Sequence, residues 1–200
     1  PISLARGAYW IGVTYEKIGN QKLANDFFKE GSKFLTTFYG QLSLQKIDPF
    51  SEFELSDQSK YSEKYEKEFN TNPLTRHVIL LKELNKTKYT KDILKHLADT
   101  NINEGSEVLA AKLATEIGRY DYAIQISKKA SYEKRFYNKY NYPIITTPRV
   151  INDKAMPSQE IILAITRQES EFDPKANSYA GAKGMMQLMT YTAKLVAKQM

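Results

Sequence analysis

The sequence predicts an all-α protein, and three observations carry that prediction. Residues 3 to 34 place small and large apolar residues at the spacing of two packed helices, with Gly19-Asn20 as the turn between them. A second helix-Gly-helix unit recurs over residues 107 to 130, where Gly118 precedes Ala123 at the same offset as Gly19 precedes Ala24. Between and after these units, apolar residues recur at helical intervals, first Leu74, Val78, Leu81 and Leu84, then Ile93, Leu94 and Leu97, then the run beginning at Ile161.

Each element follows from a local pattern. In the first hairpin Ile11, Gly12, Tyr15, Ala24 and Phe28 follow tetratricopeptide spacing, with Ala8 where a Trp is expected. Glycine lets two helices approach closely, and the large residues fill the groove. Residues 52 to 99 show helical periodicity without a clear repeat, and their apolar stripes read as core. From Tyr142-Pro143 to Pro157 the periodicity fails and prolines stand at 143, 148 and 157, which predicts a domain junction. The expected organisation is a helical-repeat region over 1–142, a linker over 143–156 and the start of a second domain over 157–200. Pro157-Ser158 is predicted to open its first helix, since proline in a first turn forfeits no hydrogen bond.

Composition narrows the function classes. Hydrophobic residues make up 42% and charged residues 26%, enough to build a core. The sequence has no Cys, which excludes a disulfide framework and thiolate chemistry. No apolar run approaches 18 residues, so no membrane-spanning helix is predicted. His77 and His96 lack partners at metal-ligand spacing and receive no role; neither a metal nor a cofactor is expected. The net charge of +6 is concentrated between positions 128 and 154, where Lys128, Lys129, Lys134, Arg135, Lys139, Arg149 and Lys154 outnumber Glu133 and Asp153. Interleaved Tyr132, Phe136, Tyr137, Tyr140 and Tyr142 would suit stacking on nucleic acid, but no nucleic-acid motif accompanies them. The stretch reads instead as a solvated connector, or as a surface attracted to an anionic polymer. The sequence opens at Pro1 inside a helical pattern and stops at Met200, and is expected to be a fragment at both ends.

The stretch with the strongest chemical content is Ile161-Ile-Leu-Ala-Ile-Thr-Arg-Gln-Glu-Ser-Glu-Phe-Asp-Pro174. Ile161, Ile165 and Glu169 are spaced by four and share one helical face, so Glu169 is expected at the end of a buried stripe. Burial there would disfavour the ionised form and suit the group to donating a proton. Glu171, about 200° around the helix, is expected to face water. Asp173-Pro174 is expected to close the helix, because proline disfavours helical geometry in the residue before it. A lone Glu on a mixed helix is more often a solvated surface residue than a catalyst.

Two stretches shift that balance. Arg167-Gln-Glu-Ser-Glu-Phe-Asp-Pro-Lys-Ala-Asn-Ser-Tyr-Ala-Gly-Ala-Lys-Gly-Met-Met-Gln-Leu-Met189 resembles the start of the catalytic domain of the soluble lytic transglycosylases, bacterial enzymes that cleave peptidoglycan. Thr36-Thr-Phe-Tyr-Gly-Gln-Leu42 resembles a segment of the long helical superhelix that precedes that domain in the same family. The resemblance is strong at 36–42 and 157–190 and weak between. It implies an all-α fold, a helical-hairpin superhelix followed by the first helices of a lysozyme-like domain. It further implies that Glu169 is the catalytic acid with Ser170 as its neighbour, that Ser178 meets a sugar N-acetyl group, and that Met186, Gln187 and Met189 line the cleft. Met185 stands where the family has Leu, and Thr190 where it has Pro. The family's later motifs, an Ala-Tyr-Asn-Ala-Gly-like segment and a further cleft Tyr, would fall beyond Met200.

The chemistry implied by the resemblance needs one carboxylate where ordinary glycosidases need two. The Glu protonates the oxygen between N-acetylmuramic acid and N-acetylglucosamine, then takes the proton of the muramoyl C6 hydroxyl as that oxygen closes on C1. The product is a 1,6-anhydro-muropeptide. With the chain ending at Met200, the lack of a second acid near Glu169 does not by itself exclude a lysozyme-type hydrolase. The implied partners are peptidoglycan glycan strands, with cell-envelope proteins as further candidates and no nucleic acid, and the implied location is the periplasm. The alternative is a helical-repeat interaction module in which residues 1 to 150 bind a protein or polymer and the partial site is inert.

Overall fold

Two helix pairs in this chain turn back by the same device. Helix α1 (Ile2–Lys17) runs into Ile18-Gly19, and Gly19 takes the left-handed conformation at φ 81°. Gly19 N–H then donates to Glu16 O and Asn20 N–H to Tyr15 O, closing the last carbonyls of the helix in a Schellman motif. Helix α2 (Gln21–Ser32) starts at once, capped by Asn20, whose Oδ1 accepts from Leu23 N–H at 3.2 Å. Helix α7 (Ser106–Glu116) ends identically at Ile117-Gly118, with Gly118 at φ 75° and Arg119 N–H donating to Ala114 O, and helix α8 (Tyr120–Tyr132) follows.

The computed structural model describes all residues except Glu54, Asn152, Asp153 and Met200, and the chain divides into two compact units, Pro1–Ser56 and Asp57–Met200. Asp153, one of the two acids weighed against the basic stretch, thus lies outside the described residues. The first unit holds α1, α2 and helix α3 (Phe38–Ile47). At its centre Phe28 is fully buried against Gly12, where a Cβ would come within 2.6 Å of the Phe28 ring. The ring occupies the space that a side chain at position 12 would need. At the corresponding positions of the second pair stand Ala111 and Ser127, both buried, so a smaller residue on one helix is exchanged for a larger one on the other.

The second unit contains helices α4 (Glu63–Thr71), α5 (Pro73–Glu83) and α6 (Lys91–Thr100), then α7, α8 and the short α9 (Asn138–Asn141). Helix α7 is buried over nearly its whole length, with Val108, Ala110, Ala111 and Ala114 inaccessible to solvent, and α6 and α8 pack along it. Val78, Leu94 and Leu97 join this core as the stripes predicted, whereas Leu84 is 54% exposed because the helix ends beneath it at Glu83. The expected helical periodicity from residue 52 fails up to Ser62, where the described chain is irregular. There the segment's own side chains and backbone bond the backbone of residues 136–139: Asp57 Oδ2 accepts from Lys139 N–H at 2.6 Å, Gln58 Oε1 accepts from Phe136 N–H, and Gln58 N–H donates to the Phe136 carbonyl.

A buried carboxylate ties the end of this core together. Glu107 is 2% exposed, accepts two hydrogen bonds from Arg135 at 2.8 and 2.9 Å, and accepts a third from Tyr137 O–H at 3.0 Å. Burial, followed by that bond to Glu107, pushes the Tyr137 hydroxyl up to about 12. Several cations of the basic stretch are therefore structural: Arg135 serves Glu107 and Glu133, Lys129 pairs with Asp99 at 2.7 Å, and Lys128 pairs with Glu171 at 2.8 Å.

Between Tyr142 and Ser158 no helix forms among the described residues; the chain makes a two-residue antiparallel ladder, Val150–Ile151 with Lys154–Ala155. Helix α10 (Gln159–Ser170) starts two residues later than the sequence suggested, with Ser158 at the N-cap and Pro157 outside. Helix α11 (Thr190–Gln199) follows a looped segment. No helix among the described residues is long and apolar enough to cross a membrane.

Candidate active site

Helix α10 carries Glu169 in its last turn, and three side chains of that helix and its end fasten it. Arg167 extends to α9, where Nε donates to the Asn141 carbonyl at 3.0 Å and Nη2 to the Asn141 side-chain oxygen at 2.8 Å. Its guanidinium lies over the Tyr142 ring at 5.6 Å. Glu171 accepts from Lys128 of α8 and lies 3.5 Å from Arg167. Phe172, 3% exposed, packs on Tyr120 with ring centres 6.4 Å apart.

These anchors correct three expectations. The helix does not run to Asp173-Pro174; it stops at Ser170, where Glu171 and Phe172 both take left-handed backbone at φ 54° and 66°. Glu171 does not simply face water, since two cations hold it. The Ile161–Ile165–Glu169 face is not buried: Ile161 is 55% and Ile165 43% exposed, and Glu169 is exposed as well. Helical spacing places the three on one side correctly, but the face turned to the protein carries Thr166 instead. The burial expected at Glu169 is therefore not found, and the side chain makes no hydrogen bond or ion pair among the described residues.

The loop from Asp173 to Met189 folds back along the last turns of α10. Ser170 Oγ donates to the Met185 carbonyl at 2.8 Å, and Thr166 Oγ1, already bonded to Ile162 O, reaches Met186 Sδ at 3.1 Å. Both contacts flank position 169, so the structure brings Met186 to within one helical turn of Glu169. Ser178 and Gln187 lie in the loop's own scaffold. Ser178 Oγ accepts from Ala182 N–H at 2.9 Å, which leaves its O–H as a donor, and Gln187 Nε2 donates to Gly184 O at 2.8 Å and Ala176 O at 3.3 Å. Met189 is 44% exposed just before α11 and is not drawn to Glu169 by any hydrogen bond. In this loop Met185, Met186 and Leu188 are each more than a third exposed.

Sequence reasoning missed the anchoring pairs. Arg167 and Glu171 stand four apart, a spacing that signals an ion pair on a helix, but nothing in the pattern pointed to Asn141 or Lys128 as partners. No group of three or more His, Asp or Glu able to hold a metal occurs among the described residues.

The Transglycosylase SLT domain family matches residues 148–200, the segment that contains α10 and the loop. No curated protein sequence matches the chain. Among solved structures, the 70 kDa soluble lytic transglycosylase from Escherichia coli is 21% identical with a TM-score of 0.72, the match covering 98% of this chain and 31% of that one. The complex of the 70 kDa soluble lytic transglycosylase with bulgecin A gives 20% and 0.73 over the same shares. An inactive Glu-to-Gln mutant of the lytic transglycosylase Slt from Pseudomonas aeruginosa gives 22% and 0.75, again over 98% and 31%. The chain thus spans about a third of the length of these proteins. Residues 148–200 match the Transglycosylase SLT domain family, and the chain as a whole has the all-α fold of the soluble lytic transglycosylases.

Proposed function

We propose that this chain contributes to a peptidoglycan lytic transglycosylase, with Glu169 serving as acid and then base. The observation that carries the reading is the family match over 148–200, which contains Glu169 on a helix end fastened by Arg167, Glu171 and Phe172. On this reading residues 1–142 are the helical-repeat region, 143–156 a linker and 157–200 the opening of the catalytic domain. The anchoring matters because a general acid works only within hydrogen-bond reach of the oxygen it protonates.

In the proposed reaction the Glu169 carboxyl gives its proton to the glycosidic oxygen between N-acetylmuramic acid and N-acetylglucosamine as the bond from that oxygen to C1 breaks. The resulting carboxylate takes the proton from the muramoyl C6 hydroxyl while O6 bonds to C1. Glu169 ends protonated, as it began, and no water is consumed. Ser178, whose O–H is left free to donate, is assigned to the N-acetyl group, and Met186, Gln187 and Met189 to the walls around the sugar. Engagement of Glu171 by Lys128 and Arg167 supports a single working carboxylate on this helix. The substrate would place the protein in the periplasm, alongside other cell-envelope proteins.

The test is mass spectrometry of soluble products from purified peptidoglycan sacculi. Anhydro-muropeptides are expected, with Glu169→Gln slowing their release by about 10²- to 10⁴-fold. Hydrated products would favour a lysozyme-type hydrolase instead. Full activity of Glu169→Gln would remove the residue from the chemistry, and no product at all would favour the helical-repeat interaction module.

A further inference from the structure

A cavity of about 290 Å³ opens between α6 and α8, away from Glu169 and unused by the proposed reaction. Its floor is apolar: Leu94 is inaccessible to solvent, Ala98 is 3% and Ile126 6% exposed. Its rim carries Lys91, Lys95 and Lys129. The two acids that line it are already engaged, Asp99 by Lys129 at 2.7 Å and Glu107 by the two hydrogen bonds of Arg135, which it shares with Glu133. Lys91, whose Nζ stands 5.9 Å from the Tyr122 ring centre, and Lys95 make no ion pair among the described residues. The three lysines of the lining outnumber its two carboxylates, and the two without an ion pair, Lys91 and Lys95, are what an incoming anion meets above the apolar floor. An apolar body with a few convergent polar groups is the usual constitution of a small-molecule site.

We infer that this cavity binds a small amphipathic carboxylate, with its aliphatic or aromatic body on Leu94, Ala98 and Ile126 and its carboxylate between Lys91 and Lys95. A neutral molecule of the same shape would gain the floor without the rim. A small polar anion would gain the rim without the floor and would be screened by salt. The combination selects a ligand having both parts. Gln125, also in the lining, supplies an amide donor for a second oxygen.

The test uses 4-phenylbutyrate as the probe and 4-phenylbutanol as its neutral counterpart, followed by chemical-shift perturbation in ¹H–¹⁵N spectra of the whole chain. Saturable binding of 4-phenylbutyrate is expected, with the shifts centred on the amides of Leu94, Ala98 and Ile126 and weaker binding of the alcohol. Lys95→Glu, a change at an exposed side chain, should weaken the acid on the order of tenfold and leave the alcohol unaltered. Ala98→Leu, which fills the floor, should weaken both. Lys88→Glu, outside the cavity, should change neither. Equal binding of acid and alcohol would overturn the cationic rim. No saturation below about 10 mM, weak even for a fragment of this size, or shifts centred elsewhere, would overturn the site.

Discussion

Replacing Arg167 with Met asks how firmly the helix bearing Glu169 is held. The wild-type side chain gives two hydrogen bonds to Asn141, at 3.0 and 2.8 Å, and is only 20% exposed, while Asn141 is 8% exposed. A hydrogen bond from a charged donor contributes about 1.5–3 kcal/mol, and two that share one guanidinium are not additive. Met keeps most of the packing over Tyr142 and removes both bonds, so the local loss is set at about 2–3 kcal/mol. Glu171 keeps Lys128, the nearer of its two cations, so the second pair adds little. In native-state hydrogen exchange, amides of residues 163–170 should exchange roughly 30- to 150-fold faster, since each 1.36 kcal/mol is a factor of ten. Amides of α7 should be unaffected. Arg167→Lys should recover little, because a single ammonium cannot present two coplanar N–H groups to the carbonyl and side-chain oxygens of Asn141. An acceleration under about fivefold, or one shared equally by α7, would refute the view that this residue anchors α10.

Three further outcomes follow from the core. Arg135→Met strips the 2%-exposed Glu107 of its ion-pair partner and should cost about 3 kcal/mol, moving a urea midpoint by about 1.5 M, while the triple change Glu107→Leu, Arg135→Met, Tyr137→Phe should recover most of it. A Tyr137 hydroxyl raised to about 12 stabilises the fold fully below its ordinary value near 10 and loses that contribution as pH climbs towards 12. Thermal midpoints across that interval should therefore fall less steeply in Tyr137→Phe than in wild type, with the residual slope shared by Tyr122 and Tyr140, which burial also raises, and by Lys112 and Lys129, which their hydrogen bonds to Glu66 and Asp99 raise. Gly12→Ala drives a methyl to 2.6 Å from the buried Phe28 ring and should cost about 1–3 kcal/mol, read by the fluorescence of Trp10, the sole Trp and a member of the same unit.

Helix–helix contact writes itself into sequence when it demands a residue of special size, and this explains what was legible. Gly12, Ala24 and Phe28 mark the first hairpin because a ring must have a glycine beneath it. The second pair is fainter because Ala111 and Ser127 fill the same place with ordinary residues. Residues 52–62 mislead, since their apolar and charged spacing imitates a helix while Asp57 and Gln58 are held by hydrogen bonds to residues some eighty positions away. At the candidate site the order of residues from Arg167 to Met189 is informative, but its burial is not. Periodicity says which side chains share a face and is silent on what covers that face. The stop at Glu171 is equally hidden, because left-handed backbone at a Glu and a Phe has no signature comparable to that of glycine.

That stop has a consequence for which substitutions the site can accept. Left-handed backbone costs a non-glycine residue on the order of 1 kcal/mol, and a bulky residue such as Phe172 rarely adopts it. Glycine at 171 would remove the strain and with it the carboxylate that grips Lys128; glycine at 172 would do the same to the ring seated on Tyr120. Selection for a more stable chain and selection for a fixed carboxylate thus pull these two positions in opposite directions. Neutral drift should be slow at 171 and 172, and stabilising glycines found there by screening should come with a wandering Glu169.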